Sequence, residues 1–168
     1  VVYKGQRGDE VVAIKVMTDK HAAKPNLVKR FLREFKICEM LDHPNIARAI
    51  GAAKENEQIF FVMEFVPGLP ADHVVPRGDP EMLVRAALRA AEALAALHDA
   101  GVVHGDLKPA NLLVSPGSPD DVRLVDLGLA AVAGHERPAF AGTPGYAAGE
   151  LRRGSGATPA TDLFALGA

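Results

Sequence analysis

The chain has 168 residues, 48% apolar and 24% charged, the balance of an ordinary globular domain with a real core. Its net charge is -2 and lysine and arginine gather in no block, so a nucleic-acid or membrane-surface role has no electrostatic support. The single cysteine, Cys38, excludes an internal disulfide, and the six histidines lack metal-site spacing. No signal peptide or bilayer-length apolar run occurs within these residues. The chain starts in mid-strand at Val1 and stops inside a helix-like run at Ala168, so both ends read as cuts in a longer protein.

Residues 1–5 and 11–17 predict two strands around a turn at 5–9. Lys15 stands among β-branched neighbours, which is unfavourable unless it meets a pocket or a carboxylate. The plain alternative is an edge lysine facing water. Pro25 suits the first turn of a helix from Asn26 to about Leu41, with Leu27, Phe31, Phe35, Cys38 and Leu41 on one face. Glu34 lies beside that stripe and can turn inward to a buried lysine or pair at the surface with Arg30, one helical turn away. Pro44 ends the helix region, and residues 46–53 and 58–65 predict strands joined by a polar turn at 54–57. Pro67 and Gly68 halt regular structure, and 69–79 reads as a loop with at most a short helix. Asp79 caps the longest helix, Pro80 opens it and Gly101 ends it, with Leu83, Ala87, Ala90, Leu94 and Leu97 as its packing face. Short strands follow at 102–103, 111–114 and 122–125, then a loop to about Phe140.

The chemistry concentrates in His104-Gly105-Asp106-Leu107-Lys108-Pro109-Ala110-Asn111. A carboxylate there can take a proton from a hydroxyl, an amide oxygen can hold a divalent cation, and a lysine can neutralise a phosphate oxygen. That set suits phosphoryl transfer, where positioning and charge neutralisation supply most of the catalysis. Alone, the same residues could be a polar turn.

In order, the motifs resemble those of the protein-kinase family. Val12-Ala13-Ile14-Lys15 is similar to the family's V-A-I-K strand, and Glu34 takes the place of its helical glutamate. His43-Pro44-Asn45-Ile46 resembles the usual lead into the fourth strand. His104 to Asn111 resembles the catalytic loop, and Asp126-Leu127-Gly128 resembles D-F-G. Gly142-Thr143-Pro144-Gly145-Tyr146 and Ala148-Gly149-Glu150 resemble the end of the activation segment, and Thr161 to Gly167 the start of a buried central helix.

The resemblance implies an α+β, bilobal fold truncated at both ends. Residues 1–66 would be a small β-sheet lobe lacking its glycine-rich loop, and 67–168 a mostly helical lobe. It implies an ATP-dependent serine/threonine protein kinase, with Mg²⁺ or Mn²⁺, acting on a Ser/Thr hydroxyl of a protein substrate. Lys15, oriented by Glu34, would hold the α- and β-phosphates; Asp126 and Asn111 would bind the metal. Asp106 would take the hydroxyl proton and Lys108 would steady the γ-phosphate. Val2, Ala13 and Leu113 would enclose the adenine, Met63 would be the gatekeeper, and the Glu64 and Val66 backbone would bind the adenine edge. Thr143 would contact the substrate. A bacterial origin and a cytoplasmic location are expected, alone or as the cytoplasmic part of a larger or membrane-anchored protein.

Several positions depart from the family pattern. Gly105 replaces the arginine that would meet a phosphorylated activation loop, and residues 129–142 contain no Ser, Thr or Tyr. The two absences agree, and activity without loop phosphorylation is expected. Leu127 for phenylalanine fills the same apolar slot, and Gly149 for proline loosens the backbone. The partner of Glu150 would lie beyond Ala168. Leu163, Phe164 and Leu166 would be exposed, and the isolated chain is expected to be poorly stable and weakly active. Gly105 also matches the H-G-D of aminoglycoside- or choline-type small-molecule kinases, which usually lack the Gly-Thr-Pro-Gly-Tyr segment and the His-Pro-Asn-Ile lead. A non-catalytic pseudokinase is the remaining alternative, although Lys15, Asp106 and Asp126 are all present.

Overall fold

Two hairpins build the first sheet. The computed structural model describes residues 1–74, 79–132 and 142–168. Strands β1 (Val2–Arg7) and β2 (Glu10–Val16) pair antiparallel, as do β3 (Ala49–Glu55) and β4 (Gln58–Glu64), giving the order β1-β2-β4-β3. The first turn is shorter than expected, because Gly5 to Arg7 stay paired with Val12 to Glu10 and Gly8 makes the reversal at φ 61°. The second contracts to Asn56 and Glu57, both at positive φ (47° and 64°), a geometry whose twist matches the strands. β3 starts three residues later than expected. Its lead-in is claimed by β8 (Ser118–Leu124): Leu124 N–H donates to the Asn45 carbonyl (2.7 Å) and Ala47 N–H to the Leu124 carbonyl (3.0 Å).

A single turn, α1 (Asp19–Ala22), precedes α2 (Pro25–Met40), which packs on this sheet. Phe31, Cys38 and Leu41 are buried as the periodicity predicts, Leu27 and Phe35 are half-buried, and Ile37, outside the expected stripe, is buried as well. Phe61, fully buried on β4, meets Phe31 and Phe35 with ring centroids 5.0 Å and 5.9 Å apart. Such pairs contribute about 1 kcal/mol beyond area burial.

The second half is built around α4 (Pro80–Asp99), whose N-cap Asp79 accepts from Met82 N–H at 3.0 Å. Its buried face is Ala86, Ala90, Ala93, Leu94 and Leu97, rotated from the expected one: Leu83 is exposed and Ala87 only half-buried. The reason is tertiary. The first turns of α4 border an open apolar cleft of about 630 Å³ instead of core. Strands β5 (Leu69–Pro70), β7 (Leu112–Ser115) and β8 form a small sheet, and β6 (Val102–Val103) pairs with β9 (Ala131–Val132). Short helices α3 (Ala71–Val74) and α5 (Gly149–Arg152) and the final α6 (Pro159–Gly167) complete the described chain. Most of the loop expected after Gly128, and residues 75–78 of the earlier one, lie outside the described residues.

The main core joins Ile37, Cys38, Leu41 and Ile46 to Leu94, Leu97, Leu107, Leu124 and Leu127. Helix α2 is therefore clamped between its own sheet and the segments that carry the catalytic-loop motif. Leu163 and Phe164 are exposed as expected, whereas Leu166 turns back onto this core. Among the described residues no helix is long and apolar enough to cross a membrane.

Candidate active site

Strand β2 points Lys15 toward α2, where Glu34 is 5% exposed and turns inward rather than pairing with Arg30. Lys15 Nζ donates to Glu34 Oε1 at 2.5 Å and to Asp126 Oδ1 at 2.9 Å. The same ammonium lies 5.9 Å from the Phe61 ring centroid. Burial alone would lower the Lys15 pKa, but the two carboxylates outweigh it and hold it above 10.5. For Asp126 burial pushes upward, and Lys15 together with the Gly128 N–H brings its pKa below the ordinary value. Burial dominates at Glu34, whose pKa is raised despite Lys15. Burial also pushes the nearby Cys38 thiol up to about 12, which leaves it an inert packing group.

Asp126 sits at φ 61°, a left-handed conformation rare for a residue with a side chain. The turn after it is crowded. A Cβ on Gly128 would lie 2.9 Å from Asp126 Oδ1 and 3.4 Å from Glu34 Oε2, so a side chain there would displace the Asp126 carboxylate. Arg30 Nε donates to the Gly128 carbonyl from the outer side of α2.

The second cluster is built on the catalytic-loop motif. Thr143 Oγ1 donates to Asp106 Oδ1 (2.7 Å), and Lys108 Nζ donates to Asp106 Oδ2 (3.0 Å) and Thr143 Oγ1 (2.9 Å). Buried Asn111 gives its amide nitrogen to the Asp106 carbonyl (2.9 Å), which leaves the amide oxygen as the atom suited to a hard cation. The Asn111 carbonyl accepts from Val125 N–H (2.8 Å), so this loop and the approach to Asp126 are joined through main chain.

Beneath the loop, Asp162 of α6 is fully buried. Its Oδ2 accepts from His104 N–H (2.8 Å) and meets His98 Nε2 (2.9 Å), and its Oδ1 accepts from Gly105 N–H (2.7 Å). His104 Nδ1 accepts from Asp106 N–H at 3.1 Å, which fixes the tautomer. Gly105 takes φ 71°, so its glycine suits the turn that presents both amides to Asp162.

Two groups of expected residues are thus assembled: Lys15, Glu34 and Asp126, and Asp106, Lys108, Asn111 and Thr143. The adenine set is placed only by strand register. Val2 lies opposite Lys15, Ala13 opposite Met63, and Leu113 on β7 opposite Arg123. Glu64 N–H is already given to the Arg48 carbonyl (3.0 Å), so its carbonyl is the main-chain group left for a ligand. Its side chain accepts from Arg123 Nε at 3.2 Å. Val66 is half-buried just past the end of β4. Sequence reasoning missed Asp162, His98, Arg30 and Arg123. Only Asp162 carried a signal, an acid at the head of an apolar helix.

No group of three or more His, Cys, Asp or Glu side chains that could hold a metal unaided occurs among the described residues. Asp126 and Asn111 offer a carboxylate and an amide oxygen, donors of the hard type that Mg²⁺ takes together with phosphate oxygens. These elements and clusters define a protein-kinase-type domain. The protein kinase domain family matches residues 1–168, and the chain belongs to it. It is 40% identical over 174 residues to serine/threonine-protein kinase PkaA of Streptomyces coelicolor, covering 97% of this chain and 31% of that protein. Serine/threonine-protein kinase pkn3 of Myxococcus xanthus is 34% identical over 95% of this chain and 32% of its own length. For PknA of Mycobacterium tuberculosis the figures are 34%, 93% and 38%. The chain spans about a third of the length of these relatives.

Proposed function

We propose that this chain supplies the catalytic residues of an ATP-dependent serine/threonine protein kinase. In this reading residues 1–66 form the smaller lobe over 67–168, and the protein works in the cytoplasm, alone or as part of a larger chain. The observation that carries it is the hold on Asp106. Its carboxylate already accepts a threonine hydroxyl at 2.7 Å while Lys108 touches both partners. A carboxylate that orients an alcohol oxygen beside an ammonium is what transfer to a Ser or Thr hydroxyl requires.

Lys15 holds the nucleotide's α- and β-phosphates, and Glu34 keeps its ammonium aimed and charged. Asp126 and Asn111 hold the divalent cation, which neutralises phosphate charge when bound. Asp106 orients the acceptor hydroxyl and takes its proton, and Lys108 steadies the transferred phosphoryl group. Val2, Ala13 and Leu113 exclude water around the base, Met63 limits its depth, and the main chain at Glu64 and Val66 reads its edge. With no Ser, Thr or Tyr in residues 129–142, the acid is positioned by Asp162, Lys108 and Thr143 without loop phosphorylation.

Asp126→Asn tests this reading. The expected result is weaker Mg²⁺-dependent nucleotide binding by calorimetry and loss of transfer, with the melting temperature nearly kept. A variant that transfers phosphate as fast as the parent would contradict it.

A further inference from the structure

The Glu34–Lys15–Asp126 link joins α2 to the Asp126-Leu127-Gly128 turn through one shared ammonium. Resting on the kinase reading above, Lys15 loosens its hold on Asp126 when that ammonium turns to phosphate. Two carboxylates then face each other across Gly128, where no side chain separates them. Arg30 supplies a second connection. It lies one helical turn before Glu34, is exposed, and donates Nε to the Gly128 main-chain carbonyl. That bond uses no atom that nucleotide or metal requires.

We infer that Arg30 is a positioning residue that keeps α2 docked on the Asp126–Gly128 turn when Lys15 is engaged elsewhere. Its donor fixes the carbonyl two residues after the metal ligand. Its effect is small while Lys15 bridges the two elements and large when that bridge is released. A residue that merely stabilised α2 would act equally in both cases.

The test is amide hydrogen exchange over residues 127–130 in the wild type, Arg30→Gln, Lys15→Met and the double variant, below the melting range of all four. Lys15→Met removes the bridge without nucleotide, so this readout does not depend on catalysis. Arg30→Gln is expected to speed exchange about twofold in the wild type and about tenfold on Lys15→Met. In transfer assays Arg30→Gln is expected to lower kcat about tenfold with the protein-substrate KM unchanged, and Arg30→Lys to recover part of it. Equal acceleration in both backgrounds, or none, overturns the inference. If the wild type transfers no phosphate, the kinase reading falls while the exchange cycle still decides the role of Arg30.

Discussion

Lys15 carries the most consequence for a single side chain. Its motif made it legible as a buried cation, and the half-buried stripe of α2 pointed to Glu34 as its partner. What the sequence did not reveal is that the same ammonium also binds Asp126, because that contact joins residues 111 positions apart. Lys15→Met should abolish transfer and lower stability by about 3 kcal/mol at neutral pH, since it strands buried Glu34. The pH dependence follows from the raised folded pKa of Lys15. Its contribution is complete below the unfolded value of about 10.4 and is lost as pH rises through the higher folded value. Urea melts should show a wild-type minus Lys15→Met difference that shrinks above pH about 10. Asp126 behaves oppositely: its lowered pKa stabilises above about 3.9, and the contribution is lost as pH falls through the folded value. Gly128→Ala is a steric test at the same point. The added carbon meets Asp126 Oδ1 at 2.9 Å, so kcat should fall about tenfold or more while protein-substrate KM changes little.

Among elements, ends were more legible than faces. Proline and glycine marked the limits of α2 and α4 within a residue or two, because their backbone preferences act locally. The cap was legible for the same reason. Asp79→Ala should destabilise by about 1 kcal/mol in thermal or urea unfolding, through loss of the Met82 N–H bond, with kcat unaffected. The face of α4 was misread because Leu83 borders a cleft, and no periodicity announces what a helix packs against. The start of β3 was misplaced by the same kind of tertiary competition, here from β8 for the backbone of Asn45 to Ala47. Asn45 completes that junction with its side chain, donating to the Val122 carbonyl at 2.9 Å.

Across the whole molecule, the organising contact is a buried one. Asp162 lies 58 residues beyond His104, accepts the main-chain amides of His104 and Gly105, and meets His98 of α4. The sequence showed the acid and the loop separately but not their union, which depends on the path of the chain between them. Asp162→Ala should cost about 3–5 kcal/mol in urea unfolding, because three donors lose a buried acceptor, and should lower kcat in whatever population remains folded. The α+β class and nearly all of the polar site were readable because phosphate chemistry needs particular residues at particular spacings. The adenine set was readable only as positions on strands, since apolar side chains carry no such signature.

The most direct test is transfer of labelled γ-phosphate from ATP with Mg²⁺ to a generic Ser/Thr protein substrate, followed by identification of the phosphorylated residue. Asp106→Ala and Asp126→Ala serve as controls. The expected products are phosphoserine or phosphothreonine from the wild type and none from either variant. Nucleotide binding by a folded wild type that transfers nothing would contradict it and leave a nucleotide-binding protein without catalysis.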